Sequence, residues 1–245
     1  MKGLIVVILL ILLIACDNSY HNDKNNREFE ELPSIEISTY SRFQKSFFDI
    51  ESSIYQPIIS GDDVSQYREI GDVISNFEEI SPLKIGIASF KLMYLGQLEH
   101  DSLKSALGKK LLDEMMYYEF VEESDSCLKY YYPFDHKELK AKEWWSGMAN
   151  SILSLAYLMG AEVFADSVYY QQSQKIMNGV INHVSEGGSR IYHKSGGYWY
   201  CEYVWKGISE KNAYFVLNGF NFQQLCIKIY SLITGNKLLE KYYQK

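Results

Sequence analysis

Hydrophobic residues recur at helical spacing from Ser81 onward. Ser81 is a favourable N-cap and Pro82 suits the first helical position, so together they predict the start of a helix. The apolar positions that follow share one helical face and are Ile85, Ala88, Leu92 and Leu95. The pattern ends near Gly96, which predicts a helix over about 82–96.

The same kind of pattern predicts four further helices. One begins after the cap Asp101, one at about Lys142, one after the cap Asp166 and one at about Asn218. A loop that contains Tyr130–Tyr132 is expected before the helix at Lys142. The last of these ends at Thr234-Gly235-Asn236, where glycine is typical of a helix C-terminus, and a short terminal helix follows. Their apolar stripes include Leu103, Leu107, Leu111 and Met115, then Trp144, Met148, Ile152, Leu155 and Met159, then Ile176, Val180 and Val184.

Between the last two long helices the period changes to that of a β-hairpin. Residues 189–193 and 198–205 are separated by Ser195-Gly196-Gly197, a turn sequence. The predicted fold is mostly α: a partial α/α toroid of antiparallel helix pairs with an inserted β-hairpin. In a regular second strand, Glu202 and Tyr203 point to opposite faces, and they reach one substrate only if the strand ends or bulges between them.

Composition limits the partners we expect. The formal net charge is −7, which argues against nucleic acid and against general capture of polyanions. Aromatic residues make up 15% of the chain, with 21 tyrosines, and sugar rings stack on aromatic faces. This composition favours a glycan partner, for which an acidic sugar would need local cations.

The N-terminus has the pattern of an exported, lipid-anchored protein. Lys2 precedes an apolar run over 4–14, and Leu13-Ile14-Ala15-Cys16 resembles a bacterial lipobox, so we expect a signal peptide over 1–16 and lipidation of Cys16. An uncleaved anchor is the alternative. A polar tether over 17–28 and an irregular region over 29–80 precede the helical domain at 81–245. Within the irregular region, residues 40–55 suggest an extended, aromatic-rich segment and residues 64–77 a short helix. The expected location is extracytoplasmic, on a membrane surface.

Three further cysteines, Cys127, Cys201 and Cys226, allow at most one disulfide. They form no Cys/His cluster of the kind that binds zinc. We therefore expect small buried side chains and no metal site.

Three segments carry a family resemblance. They are Trp144–Asn150, Gly197–Tyr203 and Phe215–Phe220, and in this order they resemble the C-terminal domain of the D-glucuronyl C5-epimerase family. The resemblance extends with gaps over about 82–243. It implies an isomerase of the heparosan-glucuronate 5-epimerase type, which inverts C5 of glucuronate units within an acidic polysaccharide.

The resemblance also suggests the site residues. Glu202 and Tyr203 occupy the Glu-Tyr pair of the family motif and are the acid/base candidates, while Asn218 is a donor to the sugar or its carboxylate. C5 inversion requires two proton carriers on opposite faces of the ring and stabilisation of an enolate. Trp144 and Tyr200 are candidates for sugar contact. Arg190 and Lys194, in the hairpin, are candidates for balancing the uronate carboxylate.

Several features depart from the family pattern. Cys201 replaces a usual acidic residue, Val204-Trp205 replaces Pro-Thr, and residues 206–212 lengthen the following link. The Tyr-Asp-Leu-Arg and Trp-Asp-Tyr-His segments of the family do not occur, so we expect catalysis to be impaired unless a partner chain or homo-oligomer completes the site. Two alternatives stay open: a non-catalytic glycan-binding lipoprotein, and a uronate polysaccharide lyase. None of these activities requires a cofactor.

Overall fold

The structure, a computed structural model, describes residues 43–60, 81–136, 141–193 and 197–243. The described chain is mostly helical, with two small antiparallel sheets. The helices are α1 (Gln56–Ile59), α2 (Pro82–Leu98), α3 (Ser102–Met115), α4 (Gly147–Phe164), α5 (Ser167–Ile181), α6 (Leu217–Thr234) and α7 (Glu240–Tyr243). The strands are β1 (Val121–Glu123), β2 (Leu128–Tyr132), β3 (Trp144–Ser146), β4 (Arg190–His193), β5 (Gly197–Tyr200) and β6 (Tyr203–Trp205).

Local capping sets the helix boundaries that the sequence predicted. The Ser81 side chain accepts a hydrogen bond from the Lys84 amide, and Asp101 and Asp166 accept from the first-turn amides of α3 and α5. Gly235 ends α6 in the left-handed conformation, with φ of 66°. These side chains satisfy amides or carbonyls that a helix end leaves free, so the predicted ends are confirmed.

The helices pack in sequential pairs around α4. This helix is almost wholly buried and contacts α2, α5 and α6, while α2 also packs on α3. Short links join α2 to α3 and α4 to α5, which makes each pair antiparallel. The larger toroid arrangement remains a prediction.

The buried face of α3 differs from the predicted apolar stripe. Leu103 is 81% exposed, whereas Ser105 and Gly108 are buried against α2. A Cβ on Gly108 would lie 2.9 Å from the Ser89 carbonyl oxygen. Close approach of the two backbones therefore selects small residues, and the leucine periodicity alone did not reveal this.

Two predicted elements were wrong. Trp144 was expected in a helix and Tyr130–Tyr132 in a loop, but both segments are strands of a sheet with the order β1-β2-β3-β6. Tyr132 pairs with Trp144, and Trp144 pairs with Trp205. The helix begins only after Ser146, whose side chain accepts from the Ala149 amide. Pairing with residues far away in sequence overrides the helical spacing around Trp144.

The predicted hairpin is confirmed as β4 paired with β5. Its second strand, however, does not run on to Trp205. It stops at Tyr200, passes through a bend at Cys201 and Glu202, and resumes as β6 in the other sheet.

Residues 43–60 form short helical turns instead of the extended segment expected over 40–55. Two 3₁₀ helices, Phe47–Asp49 and Ser52–Tyr55, precede α1. Phe47 and Tyr55 pack with Phe90 and Tyr94 of α2. The helix predicted over 64–77, the tether, the signal peptide and Cys16 lie outside the described residues.

Cys127, Cys201 and Cys226 are free thiols, and the last two are buried as expected. None of the helices among the described residues is both long and apolar enough to span a membrane. The described part of the chain also contains no group of three or more metal-ligating side chains.

Candidate active site

The interruption between β5 and β6 brings Glu202 and Tyr203 together. The Cys201 amide donates to the Ser189 carbonyl at 2.8 Å, which ends the hairpin, and the Gly147 amide donates to the Glu202 carbonyl at 2.8 Å. The chain therefore turns between two fixed points. This is the break in the strand that the two side chains need in order to serve one substrate.

Gln223 of α6 holds this turn and was not predicted. Its side chain is fully buried, and its Nε2 donates to the Cys201 carbonyl at 3.3 Å while its Oε1 accepts from the Ser189 hydroxyl at 3.2 Å. A buried amide with its hydrogen bonds made fixes the surrounding backbone. The signal available in the sequence was a lone glutamine on the otherwise apolar stripe of α6.

The Glu202 carboxyl lies in a half-buried position against α6. Its Oε2 is buried and has no hydrogen-bond partner among the described residues. A Cβ on Gly219 would lie 2.8 Å from the carboxyl carbon, so only glycine leaves room for this group. Burial raises the pKa of Glu202, and a side-chain hydrogen bond from Tyr203 opposes that shift in part.

The start of α6 lies beside this carboxyl, and the start of α4 holds the backbone of the same residue. Gly219 belongs to the first turn of α6, whose N-cap Val216 provides no side-chain hydrogen bond. Gly147, which donates to the Glu202 carbonyl, is the first residue of α4. Free amides at a helix start attract negative charge, so this region favours an anion even though Glu202 itself is partly desolvated.

An aromatic cluster forms the wall beside Tyr203. The ring centroids of His136, Trp144 and Tyr214 lie 4.7, 5.5 and 5.9 Å from that of Tyr203. Tyr132 stacks on Trp144 at 4.3 Å, and burial raises the pKa of Tyr132 to about 12, with a smaller contribution from the charge of Glu202. Aromatic rings therefore line the Tyr203 side of the candidate site.

Two sequence-predicted sugar contacts are core residues in this structure. Trp144 is 5% exposed, and its Nε1 donates to the Phe134 carbonyl. Tyr200 is fully buried, and its hydroxyl lies 3.4 Å from the Tyr242 carbonyl oxygen. Neither ring presents a face to solvent, because sheet pairing and helix packing cover both. Their predicted contact with a sugar therefore does not fit this structure.

The structure places the remaining predicted site residues in different surroundings. Asn218 is exposed in the first turn of α6, one residue before Gly219, and does not cap the helix. Arg190 donates through Nε to the Ile181 carbonyl at 2.6 Å and lies over the rings of Tyr198 and Tyr242. Arg190 is therefore engaged in the hairpin and is not an evident partner of a substrate carboxylate at Glu202. Lys194 lies outside the described residues.

The other face of the four-stranded sheet borders a groove of about 880 Å³. Its lining includes neither Glu202 nor Tyr203. Glu122 in this groove accepts from the Lys129 ammonium at 2.8 Å and from the Tyr131 hydroxyl at 2.7 Å. These donors lower the pKa of Glu122, whereas burial raises the pKa of Glu202.

The family comparison covers this sheet and everything after it. The family described as D-glucuronyl C5-epimerase C-terminus matches residues 123–245, half of the chain. The chain belongs to this epimerase family. A comparison with curated proteins finds no match.

The matched region contains Glu202, Tyr203, Gln223 and both sheets apart from the first residues of β1. It begins after α2 and α3, so it is shorter than the resemblance over 82–243 that the sequence suggested. The family supports an epimerase-like function for the chain.

Proposed function

We propose that this protein inverts C5 of glucuronate units in an extracytoplasmic polysaccharide, with Glu202 and Tyr203 as its proton carriers. The observation that carries the proposal is the half-buried Glu202 carboxyl, which has an unpartnered oxygen and a raised pKa beside Tyr203. A carboxyl in this state exchanges a proton more readily near neutral pH than an ordinary surface glutamate does.

In the proposed reaction, the Glu202 carboxylate removes the proton from C5 and the electron pair of the C–H bond forms the enolate of the uronate carboxyl. Tyr203 then gives its hydroxyl proton to C5 from the other face, which restores the carbon with inverted configuration. Glu202 has gained one proton and Tyr203 has lost one. When the product leaves, the hydrogen bond between the two side chains returns the proton from Glu202 to Tyr203.

The enolate needs stabilisation of its negative charge. The first turn of α6, with the amides before Gly219 and the exposed side chain of Asn218, offers donors close to Glu202. In this arrangement Asn218 contacts the substrate carboxylate. Substrate must enter between Glu202 and Tyr203, because the two carriers act on opposite faces of the ring.

Exchange of the C5 hydrogen with solvent deuterium tests this function. The full-length chain in detergent is incubated with a heparosan-type polymer in D₂O, and loss of the C5–H signal is followed by NMR. Glu202→Gln is expected to lower the exchange rate on the order of 10²- to 10⁴-fold, because it removes the base while keeping the shape.

Glu114→Gln, a half-buried glutamate of α3, is the matched control and should exchange at the wild-type rate. Formation of iduronate identifies an epimerase, whereas an unsaturated product identifies a lyase. An absence of exchange with intact polymer binding would replace the proposal with a non-catalytic glycan-binding function.

We also propose that Cys16 carries a lipid anchor that holds the protein on an extracytoplasmic membrane surface. The support is the sequence Leu13-Ile14-Ala15-Cys16 after an apolar run of signal-peptide length. Mass spectrometry of the N-terminal peptide from a bacterial host should show a diacylated Cys16. The variant Cys16→Ala should leave the membrane fraction, and an unmodified N-terminus in the wild type would contradict the proposal.

A further inference from the structure

The groove on the other face of the four-stranded sheet has the features of a second glycan-binding surface. Its described lining combines aromatic side chains with polar ones, and Phe120 within it is 45% exposed. A cavity of about 880 Å³ lies within the size range of ligand sites, roughly 300–1,000 Å³.

The polar side chains at the bottom of the groove already hold one another in place through hydrogen bonds. The Lys129 side chain is 8% exposed and its ammonium is held by Glu122, which also accepts from Tyr131. Gly187 adopts a left-handed conformation beside it, and a Cβ there would lie 2.9 Å from the Lys129 nitrogen. These contacts fix the base before any ligand arrives, so binding would order few side chains.

The formal charge of the groove lining is closer to neutral than that of the chain as a whole. The described lining contains three lysines and three glutamates, whereas the whole chain has a formal net charge of −7. Lys142 and Lys206 are exposed at this surface, as are Glu119 and Glu143, while Glu122 is already paired with Lys129. The lining is therefore close to neutral in formal charge, so a polyanion meets less repulsion here than on the chain as a whole, and it finds two lysines beside two carboxylates.

Trp205 connects the groove with the candidate active site. It follows Tyr203 and Val204 on β6, lines the groove, and packs against the cluster that contains Trp144 and Tyr132. Val204 faces the groove while Tyr203 lies with the aromatic cluster, as alternation along a strand requires. One polymer passing over β6 can thus touch both surfaces.

We propose that this groove binds the part of an acidic polysaccharide that flanks the reacting unit. The inference rests on the proposed function for its class of ligand. Phe120, which is 45% exposed, provides a stacking surface for sugar rings, and Lys142 and Lys206 pair with uronate carboxylates. The groove therefore adds contacts that only long chains can make, whereas chemistry occurs at Glu202.

Binding of a short and a long heparosan-type oligosaccharide to the full-length chain, by calorimetry in detergent, tests the groove. Phe120→Ala and the double variant Lys142→Gln/Lys206→Gln are expected to weaken binding of the long chain about three- to tenfold. They should leave the short chain unchanged. The lysine variant should also reduce the salt dependence of binding.

Tyr117→Ala and Lys110→Gln are matched controls, since both residues are exposed on or next to α3 and do not line the groove. Glu202→Gln should bind the long chain like the wild type, which separates failure of the groove from failure of the chemistry. Wild-type affinity of the groove variants for the long chain would overturn the proposal. So would equal affinity of the wild type for a neutral polymer of the same length.

In the exchange assay, the groove variants should raise KM for long chains and leave kcat unchanged. A fall in kcat with unchanged KM would overturn the groove's role as a flanking contact.

Discussion

Two glutamates, one within β1 and one in the bend before β6, have opposite electrostatic environments. Glu122 on β1 has a lysine and a tyrosine as donors, and its pKa is lowered. Glu202 has a buried oxygen without a hydrogen-bond partner among the described residues, and burial raises its pKa. The difference shows that an exposed carboxyl with a lysine and a tyrosine as donors is held as a fixed charge, whereas burial makes the second carboxyl a better proton acceptor.

The largest expected effect, on the yield of inverted product, concerns Tyr203, the tyrosine beside Glu202. Tyr203→Phe should lower formation of inverted product on the order of 10²-fold or more, because no proton returns to the second face. C5–H exchange should persist, since Glu202 still removes the proton and is half exposed to solvent. NMR of the exchange and product signals measures both quantities.

At saturating polymer, Tyr131→Phe, next to Glu122 in the groove, is the control and should change neither signal. Loss of exchange together with inversion in Tyr203→Phe would show that Tyr203 is needed for proton removal itself.

The second prediction concerns the space that Gly219 leaves for Glu202. Gly219→Ala should displace the carboxyl and destabilise the fold by about 1–3 kcal/mol through overpacking, with a large loss of exchange. Urea unfolding measures the stability. When Glu202 is already alanine, Gly219→Ala should cost much less stability, because the carboxyl that its Cβ would meet is absent. Additive costs would contradict close packing between the two residues.

The pH dependence of stability should differ in sign between the two carboxyls. The raised pKa of Glu202 means that the native state binds more protons than the unfolded state above the ordinary pKa of 4.5. The stability that the Glu202 carboxyl contributes is therefore fully present below pH 4.5, and it is lost as the pH rises through the pKa that this carboxyl has in the folded state. Glu122 behaves oppositely, and its contribution is lost as the pH falls below 4.5 through its lowered pKa.

Urea unfolding at a series of pH values measures these two opposite pH dependences of stability. Relative to the wild type, Glu202→Gln should be less destabilised on raising the pH, and Glu122→Gln less destabilised on lowering it. Parallel curves for Glu202→Gln and the wild type would contradict the desolvation of Glu202.

The smallest expected effect is at the ion pair in the groove. Lys129→Met should cost less than about 1 kcal/mol of stability, because the Glu122 side chain is 60% exposed and water replaces its partner. The pKa of Glu122 should rise toward its ordinary value, as seen by NMR titration of the carboxyl carbon. Glu202 should titrate as in the wild type. A change at Glu202 would show that the two faces are coupled.

The helices and their ends were predictable because their determinants are local. Ser81, Asp101 and Asp166 each bond to amides two or three residues away, and Gly235 adopts its own left-handed conformation. The turn sequence between residues 193 and 198 is equally local, and the pairing of β4 with β5 confirms the predicted hairpin. The family resemblance of the segments around Trp144, Glu202 and Asn218 was also present in the sequence, and the family match confirms it.

The sheet and the state of the candidate site depended on tertiary structure. Trp144 pairs with Trp205 across about sixty residues of sequence, so its helical spacing was misleading. Tyr200 lies two residues before Glu202, yet the first is fully buried and the second half-buried. Gln223, from another helix, holds the turn between them. The sequence thus determined which residues are present and how its helices begin and end. Only long-range packing, which removes water from Glu202 and leaves its Oε2 without a hydrogen-bond partner among the described residues, decided the environment of the carboxyl.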